Sequence, residues 1–336
     1  MTDSNEIRDL YDEFRKGMHK QNHGKNSDQD RDMADVLRVR FWYEGVSQRT
    51  GINKAYELEQ HFEPESFRRR AGNNKLSYRC KWQRYEVGQH TPQDRLAKRV
   101  DAHLPGSQQE LHHPLWDLLK LKPPCNALNE TFLQHLKPDV LAVLFKKTNE
   151  ADVYWQRANI TRGLMKKLEC IASLDALAAL IWLMREALSK DNRKTTEELA
   201  QSIYKVLIMR SIWWEERKLA APLVELFIQR ILPLGSPPNL IFSMNTELLV
   251  EASTLLNLIV HQTPAGKRDK LVWQQRVRIM RKLLSGDMGL DVPFALAPIY
   301  VAAPGKPMIR EAVLDTLQWQ NRLRQIGWDN ILSNKT

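Results

Sequence analysis

The sequence is poor in cysteine, in glycine and in the motifs that mark common active sites. Its three cysteines are far apart and none belongs to a CxxC pair, so neither a disulfide framework nor a thiolate zinc site is expected. The 14 glycines in 336 residues build no phosphate loop that ends in Lys-Ser or Lys-Thr and no GxGxxG, and HExxH and GxSxG are absent too. We therefore predict a protein that is not an enzyme and has no catalytic residue, no cofactor and no metal site.

Long apolar runs are also absent. The longest, Ala176 to Met184, has nine residues and is flanked by Asp175 and Arg185, whereas a helix needs about 20 apolar residues to cross a bilayer. We interpret this run as a buried helix and expect no membrane span. The first residues are rich in carboxylates and lack the basic start and apolar stretch of a secretory signal, which predicts a cytoplasmic location.

Positive charge is in excess and is concentrated in two segments. The chain has 50 lysines and arginines against 40 aspartates and glutamates, which gives a net charge of +10 and a pI near 9.4. Residues 66–100 hold ten basic and two acidic residues, and residues 266–282 hold seven basic residues and one acidic residue. Such local excess favours a polyanionic partner, of which nucleic acid is the first candidate.

Apolar residues recur at helical spacing through much of the chain. Leu174, Leu177, Ile181, Met184 and Leu188 follow the 3, 4, 3, 4 spacing of a buried helical stripe, and two later segments repeat it. This pattern predicts an all-α fold, with a small N-terminal helical domain and a larger C-terminal helical bundle or solenoid.

Helix ends can be predicted from single residues. Gly51 tolerates the left-handed conformation that ends many helices, and Asn53 is suited to cap the next helix. Thr195 and Glu198 match a capping box, which predicts that a helix starts there. No alternation of apolar and polar residues bounded by hairpin turns indicates a sheet of any size, although the apolar segment 292–303 leaves a strand open.

Composition and proline content divide the chain into four parts. Most residues between 18 and 32 are polar and cannot offset the entropy of ordering, and four prolines between 105 and 124 make long helices there improbable. We predict a peripheral helix and linker over residues 1–30, a basic helical domain over 31–105, a Pro-rich connector over 106–128 and a helical bundle over 129–332.

The most informative segment runs from Lys81 to Pro92 and combines cations, amides and aromatics. Cations reach phosphates, glutamine and arginine hydrogen-bond base edges, and aromatics stack on bases. A solvated basic face with no binding role is the alternative. We predict a nucleic-acid-binding surface made of Arg68, Arg69, Arg70, Arg79, Lys81, Gln83, Arg84, Gln89 and His90.

This segment resembles the recognition-helix end of the Cro/repressor class of helix-turn-helix DNA-binding domains. In that class an aromatic or apolar residue is followed by Glu, Gly, a polar or basic residue and Pro, and then by a helix with spaced leucines. Val46 to Gly51 looks like the helix and turn that come before, so residues 53–77 would be an insertion. The resemblance implies that the side chains facing DNA are Arg79, Lys81, Gln83 and Arg84, and that those facing the domain's own core are Trp82 and Tyr85.

Two adjacent pairs of ring side chains stand out elsewhere. Trp213 and Trp214 mark a candidate partner-binding groove, and the alternative is one tryptophan in the core and one at its rim. His112 and His113 precede Pro114 and are expected on the surface.

These observations favour a DNA-binding protein, such as a regulator or a factor of a mobile element or phage-related system. DNA is favoured over RNA as the partner, and the C-terminal bundle would mediate self-association or contact a protein. The alternative is a non-enzymatic scaffold or adaptor whose basic patches bind an acidic protein. An enzyme built from scattered residues such as Glu186, Glu215 and His261 is the third hypothesis.

Overall fold

The structure, a computed structural model, describes residues 3–21, 31–69, 76–77, 80–123, 129–147, 155–268, 270–303 and 311–333. The fold is all-α, as the helical spacing of the apolar residues predicts. Within these ranges, no helix is both long enough and apolar enough to cross a membrane.

Helices follow one another through both the N-terminal and the C-terminal parts. Short 3-10 helices cover Pro64–Ser66, Ser211–Arg217 and Leu232–Gly235. The α-helices are α1 Asp3–Gln21, α2 Met33–Thr50, α3 Ala55–Phe62, α4 Lys81–Glu86, α5 Asp94–His103, α6 Ser107–Leu111, α7 Leu115–Leu118, α8 Glu130–Leu133, α9 Pro138–Leu144, α10 Arg162–Ile171, α11 Leu174–Ser189, α12 Arg193–Arg210, α13 Ala220–Arg230, α14 Thr246–Gln262, α15 Pro264–Arg268, α16 Trp273–Ser285, α17 Asp291–Ala295 and α18 Glu311–Ser333.

The described strands are two or three residues long and form three antiparallel pairs. The last of them lies in the segment 292–303, where the sequence left a strand open. These pairs tie loops together and build no layer of the fold. Their bounds are β1 Arg68–Arg69 with β2 Leu76–Ser77, β3 Phe145–Lys147 with β4 Trp155–Arg157, and β5 Leu240–Phe242 with β6 Tyr300–Ala302.

A small core rich in aromatic rings holds the N-terminal part together. Trp82 stacks on Phe62 with ring centroids 5.3 Å apart and an interplanar angle of 9°. Trp42 packs against Trp82 at 5.5 Å. We call this the aromatic core; its buried residues are Val39, Trp42, Tyr43, Val46, Ala55, Leu58, Phe62, Trp82, Tyr85, Leu96, Ala97, Val100 and Leu111.

A larger core, the bundle core, is centred on α11. Every residue from Asp175 to Met184 is buried, as expected for a helix that is apolar on all sides. Helix α12 packs between α11 and α14, and α1 packs on α14 and on the 3-10 helix Ser211–Arg217. Because Ile7 and Phe14 of α1 are fully buried in these contacts, α1 is an integral part of the packing.

Packing continues across the boundaries predicted from composition. Helix α2 contributes Trp42 to the aromatic core and Leu37 to the bundle core. Leu115 and Trp116, from the predicted Pro-rich connector, are buried in the bundle core. In addition, Arg217 donates a hydrogen bond to the carbonyl oxygen of Phe41 over 3.1 Å. The N-terminal part therefore rests directly on the bundle.

Side chains cap the starts of several described helices, among them α2, α11 and α14, but two predicted caps were wrong. Gly51 does end α2 in the left-handed conformation, with φ of 70°. Helix α12 begins at Arg193 and not at Thr195, because Oδ1 of Asn192 accepts a hydrogen bond from the Thr195 N–H. Asn53 does not cap α3, whose N-cap position is occupied by Lys54 without a side-chain hydrogen bond.

Candidate nucleic-acid interface

Helix α4, which carries the central residues of the predicted surface, is oriented by two aromatic side chains. Trp82 and Tyr85 are three positions apart, so they share one face of the helix, and both are buried in the aromatic core. This confirms the prediction that they face the core. Burial and the charges of Glu63 and Glu59 raise the pKa of Tyr85 to about 12. Gln83 and Arg84 consequently point outward and are exposed.

Lys81 lies at the start of α4 and is tied to a buried carboxylate. Its Nζ lies 2.6 Å from Oε1 of Glu63, and the other oxygen of Glu63 accepts a hydrogen bond from Nε1 of Trp82 over 3.2 Å. Glu63 is only 9% exposed. Lys81 therefore neutralises an internal carboxylate, and less of its charge faces solvent than its place in the basic segment suggests.

The loop that follows α4 is held against the start of α2. Gly88 adopts a φ of +75°, and a Cβ at this position would lie 2.6 Å from the carbonyl oxygen of Val36. Nη1 of Arg31 donates to the Gly88 carbonyl oxygen over 2.7 Å, and Arg31 and Arg38 both donate to Oγ1 of Thr91. These bonds fix the loop that carries Gln89 and His90.

His90 and Gln89 are exposed on this fixed loop. Nε2 of His90 lies 3.3 Å from Nη1 of Arg84. Gln83, Arg84, Gln89 and His90 are therefore all exposed on α4 and the loop that follows it, and their role in binding nucleic acid stays a prediction.

Helix α5 carries further cations, which belong to the basic segment 66–100 but were not among the predicted site residues. Arg95 and Lys98 are exposed, and among the described residues neither forms an ion pair. Arg99, by contrast, donates hydrogen bonds to the carboxylate of Glu65 and to the carbonyl oxygen of Phe62. The hydrogen bond from Arg99 lowers the pKa of the Glu65 carboxyl group. Leu96 and Val100, on the opposite side of α5, are buried in the aromatic core.

Helices α4 and α5 both pack on α3, and we give the name α4–α5 face to the exposed side chains of these helices and of the loop between them, namely Gln83, Arg84, Gln89, His90, Arg95 and Lys98. Two exposed carboxylates, Glu86 and Asp94, lie on the same two helices. The cations of this face are Arg84, Arg95 and Lys98, a smaller set than the ten cations of residues 66–100, and the two carboxylates offset part of their charge.

The remaining predicted site residues lie before α4. Arg68 and Arg69 form β1, where they pair with Ser77 and Leu76. Arg70 and Arg79 lie outside the described residues, as does the turn predicted at residues 71–74.

The order of helices bears on the helix-turn-helix comparison. The helix that follows α2 after a short turn is α3, and α4 comes after the 3-10 helix Pro64–Ser66 and the β1–β2 pair. Helix α4 contacts both α2 and α3. The assignment of α4 as a recognition helix rests on the sequence resemblance and stays a prediction.

The tryptophan pair divides between core and surface. Trp214 is 2% exposed and stacks on Phe227 with centroids 5.8 Å apart. Trp213 is partly exposed, and its Nε1 donates to Oδ1 of Asn257 over 2.9 Å. The pair is thus one core and one rim tryptophan, and only Trp213 is placed to contact a partner.

Comparisons of the chain with protein-family models, with curated proteins and with solved structures found no match. In the part of the chain that the structure describes, no three His, Cys, Asp or Glu side chains are grouped as ligands for a metal ion.

Proposed function

We propose that this protein binds nucleic acid, DNA in preference to RNA, through the α4–α5 face, and acts without catalysis as a regulator or a factor of a mobile element or phage-related system. The supporting observation is that the aromatic core takes up Trp82 and Tyr85 and so leaves Gln83 and Arg84 exposed on the same short helix. Amide and guanidinium groups can read base edges, and the cations can contact phosphates.

Rigidity supports the same proposal. Gln89 and His90 stand on a loop that Arg31 anchors through the Gly88 carbonyl oxygen, so little ordering of the backbone would be required on binding. Preorganised contacts lose less conformational entropy when a complex forms.

The number of exposed cations on the α4–α5 face predicts the affinity for duplex DNA and its dependence on salt. Three phosphate contacts, from Arg84, Arg95 and Lys98, give a slope of about −2.7 in a plot of log K against log salt for duplex DNA. One such face binds only weakly at physiological salt, and a self-associated protein presents two faces to one duplex. Exposed apolar residues on α18 support association through the C-terminal part; they include Leu314, Trp319 and Ile326, which are 42%, 56% and 46% exposed.

Fluorescence anisotropy with a labelled duplex of random sequence tests this proposal. Between about 50 and 200 mM salt we expect the affinity to fall steeply, with a slope of roughly −3 for a monomer and roughly −5 for a dimer. An absence of binding at about 50 mM salt contradicts the proposal.

Selection of duplexes from a random pool then separates DNA recognition from the scaffold alternative. A sequence-specific regulator enriches a motif, and a protein whose basic face meets acidic proteins enriches none. Parallel titration of a single-stranded RNA of equal length tests the preference for DNA; tighter binding of RNA contradicts that part of the proposal.

A further inference from the structure

An open cavity of about 670 Å³ lies between α2 and α13, beside the end of α1 and the start of α14. Its volume is within the range of small-molecule sites. Met33 is 39% exposed, so the cavity opens to solvent at the start of α2. Half of the described lining residues are apolar, namely Met18, Met33, Ala221, Pro222 and Leu226.

Two ion pairs show how α2 and α13 lie beside this cavity. Arg230, at the end of α13, pairs with Asp32, which precedes α2, at 2.7 Å. Lys218, which precedes α13, pairs with Glu44 in the second half of α2 at 3.0 Å. The two helices are therefore antiparallel. Arg230 also lines the cavity, but its charge is already compensated by Asp32.

Arg40 and Glu225 bring opposite charges to the cavity from these two facing helices, and both line it. Counted from the Asp32–Arg230 pair, Arg40 is eight residues along α2 and Glu225 is five residues back along α13. The two residues are consequently offset by about 5 Å along the helix axes. They form no ion pair with each other.

The carboxylate of Glu225 lies at the wall of the cavity. Its Oε1 accepts a hydrogen bond from Nε2 of Gln229 over 2.6 Å, and the hydroxyl of Thr246 donates to its Oε2. Both donors line the same cavity. Because both are neutral, Glu225 has no positively charged partner among the described residues. A cationic group in the cavity would meet a carboxylate that is already oriented.

Arg40 is the unpaired cation of the cavity. It is partly buried, yet it forms no hydrogen bond and no ion pair with a described residue. None of its nitrogen atoms is among those that are buried without a partner in the same part of the chain, so its N–H groups remain accessible at the cavity that the side chain lines. Burial lowers the pKa of Arg40, although the charges of Glu44, Glu215 and Glu86 act in the opposite direction. A carboxylate can accept two parallel hydrogen bonds from such a guanidinium.

We propose that this cavity binds an α-amino acid with an apolar side chain, with the carboxylate on Arg40 and the ammonium group on Glu225. A cation and a carboxylate that share a cavity without pairing with each other match a ligand that carries both charges. A simple carboxylic acid would be repelled by Glu225, and a simple amine would be repelled by Arg40. Met18 and Met33 suit the apolar side chain, because a thioether chain adapts to different shapes. This inference does not rest on the proposed DNA binding.

Isothermal titration calorimetry of the full chain tests the inference. The probes are the L-amino acids leucine, isoleucine, valine, methionine and phenylalanine. We expect at least one of these amino acids to bind saturably with a stoichiometry of one. No saturable binding of any of them at up to about 5 mM overturns the inference.

Analogues that lack one charged group test the need for both charges. The deaminated acid and the decarboxylated amine of the tightest amino acid are compared with it; for leucine these are 4-methylpentanoate and 3-methylbutylamine. We expect each analogue to bind at least about tenfold more weakly, a loss of about 1.4 kcal/mol. An acid or an amine that binds as tightly as the amino acid overturns the inference.

Variants of the two charged residues locate the site. Arg40→Gln is expected to weaken binding of the amino acid about tenfold or more, because the carboxylate loses its charged donor. Arg8→Gln is the matched control, since Arg8 is exposed on α1 and does not line the cavity, and it should leave the affinity unchanged. Equal affinity in Arg40→Gln and Arg8→Gln places binding elsewhere and overturns the inference.

Glu225→Gln keeps the test valid if Arg40→Gln does not fold. We expect this variant to lose affinity for the amino acid about tenfold or more. Its affinity for the deaminated acid should not fall, because the carboxylate that repels this ligand is gone. A general loss of structure would weaken both ligands together. A parallel fall for the two ligands, or no change for the amino acid, overturns the inference.

Discussion

Ion pairing between residues far apart in the chain decides which cations of the basic segment face solvent. Lys81 is bound to Glu63 and Arg99 to Glu65, whereas Arg84 and Lys98 are exposed and form no ion pair with a described residue. A count of charge along the sequence treats all four alike, because it cannot show which carboxylates the fold brings close.

Glu63 is expected to stabilise the aromatic core. Replacement by alanine in Glu63→Ala leaves Nζ of Lys81 without its ion pair and Nε1 of Trp82 buried without an acceptor. We predict that the free energy of unfolding falls by about 1–3 kcal/mol, as measured by urea denaturation followed by tryptophan fluorescence. Glu65→Ala is the control, since Glu65 is exposed and water screens its pair with Arg99, so a smaller loss of stability is expected. Equal losses in the two variants contradict the role given to Glu63.

Glu215 predicts a pH dependence of stability. Burial raises the pKa of its carboxyl group to about 7, with a further contribution from Glu13, although the Ala220 N–H and the charge of Arg40 act in the opposite direction. The folded protein therefore holds a proton that the unfolded chain releases at lower pH. The contribution of Glu215 to the free energy of unfolding is therefore complete below about pH 4.5, the ordinary pKa of a glutamate, and is lost as the pH rises through 7.

Glu215→Gln removes this dependence. We expect the melting temperature of the wild type, relative to that of Glu215→Gln, to fall by several degrees between pH 4.5 and pH 8, at about 2–4 °C for each kcal/mol. Thermal unfolding followed by circular dichroism over this pH range measures the difference. A difference that stays constant with pH contradicts the assignment.

The inward orientation of Trp82 and Tyr85 could be predicted from sequence, but the environment of His113 could not. His113 is 9% exposed, and the prediction that it lies on the surface was wrong. Its Nδ1 accepts a hydrogen bond from the Leu115 N–H over 3.1 Å, and its Nε2 lies 3.3 Å from Oδ1 of Asp175. Burial alone would raise the pKa of Asp175, but the nearby His113 ring and the Lys137 N–H hold it below its ordinary value. Asp175 is distant in sequence, and no local pattern indicates the pair.

At the scale of elements, the spacing of apolar residues predicts that a segment is helical and where it lies in the chain. It predicts the residues at which the helix begins and ends less well. The stripe from Leu174 to Leu188 correctly predicted α11. Asn192 and Thr195 both lie near the start of α12, and the side chains of both residue types can cap a helix. The prediction named Thr195, whereas the N-cap is Asn192. The strand pairs span two or three residues each, too few to produce a detectable alternation of apolar and polar side chains.

The loop after α4 depends on Gly88. In Gly88→Ala a methyl group is forced into the left-handed region and against the carbonyl oxygen of Val36. Left-handed strain alone costs about 1–2 kcal/mol, so we expect a loss of stability above that value in urea denaturation. Nucleic-acid binding should weaken as well, because Gln89 and His90 lose their fixed position.

Gly106→Ala is the matched control for this loop. Gly106 has a φ of +88°, and a Cβ there would meet no atom within 4 Å, so this variant carries the strain without the clash. A loss in Gly88→Ala no greater than that in Gly106→Ala contradicts the close packing of the loop on α2.

At the scale of the whole molecule, the N-terminal part and the bundle share α2 and are joined by side chains from both. Arg217 lies over the ring of Phe41 at 4.9 Å and pairs with Glu110 at 3.3 Å, and Arg230 pairs with Asp32 at 2.7 Å. Composition placed a boundary near residue 105 because prolines cluster there, yet such long-range contacts leave no trace in composition. The α4–α5 face is consequently presented on a part of the protein that is firmly attached to the bundle.

The most direct test of the central claim is charge reversal on the α4–α5 face. The double variant Arg84→Glu, Lys98→Glu is compared with Lys166→Glu, Lys167→Glu, which makes the same change in net charge at exposed positions of α10. Duplex binding is measured by anisotropy over a range of salt, and circular dichroism confirms that both variants are folded. We predict that the first variant loses affinity at least about tenfold and that its salt slope becomes shallower by about 2 for a monomer and by about 4 for a dimer, whereas the second binds like the wild type. Equal affinity and equal slope in the two variants would contradict nucleic-acid binding by this face.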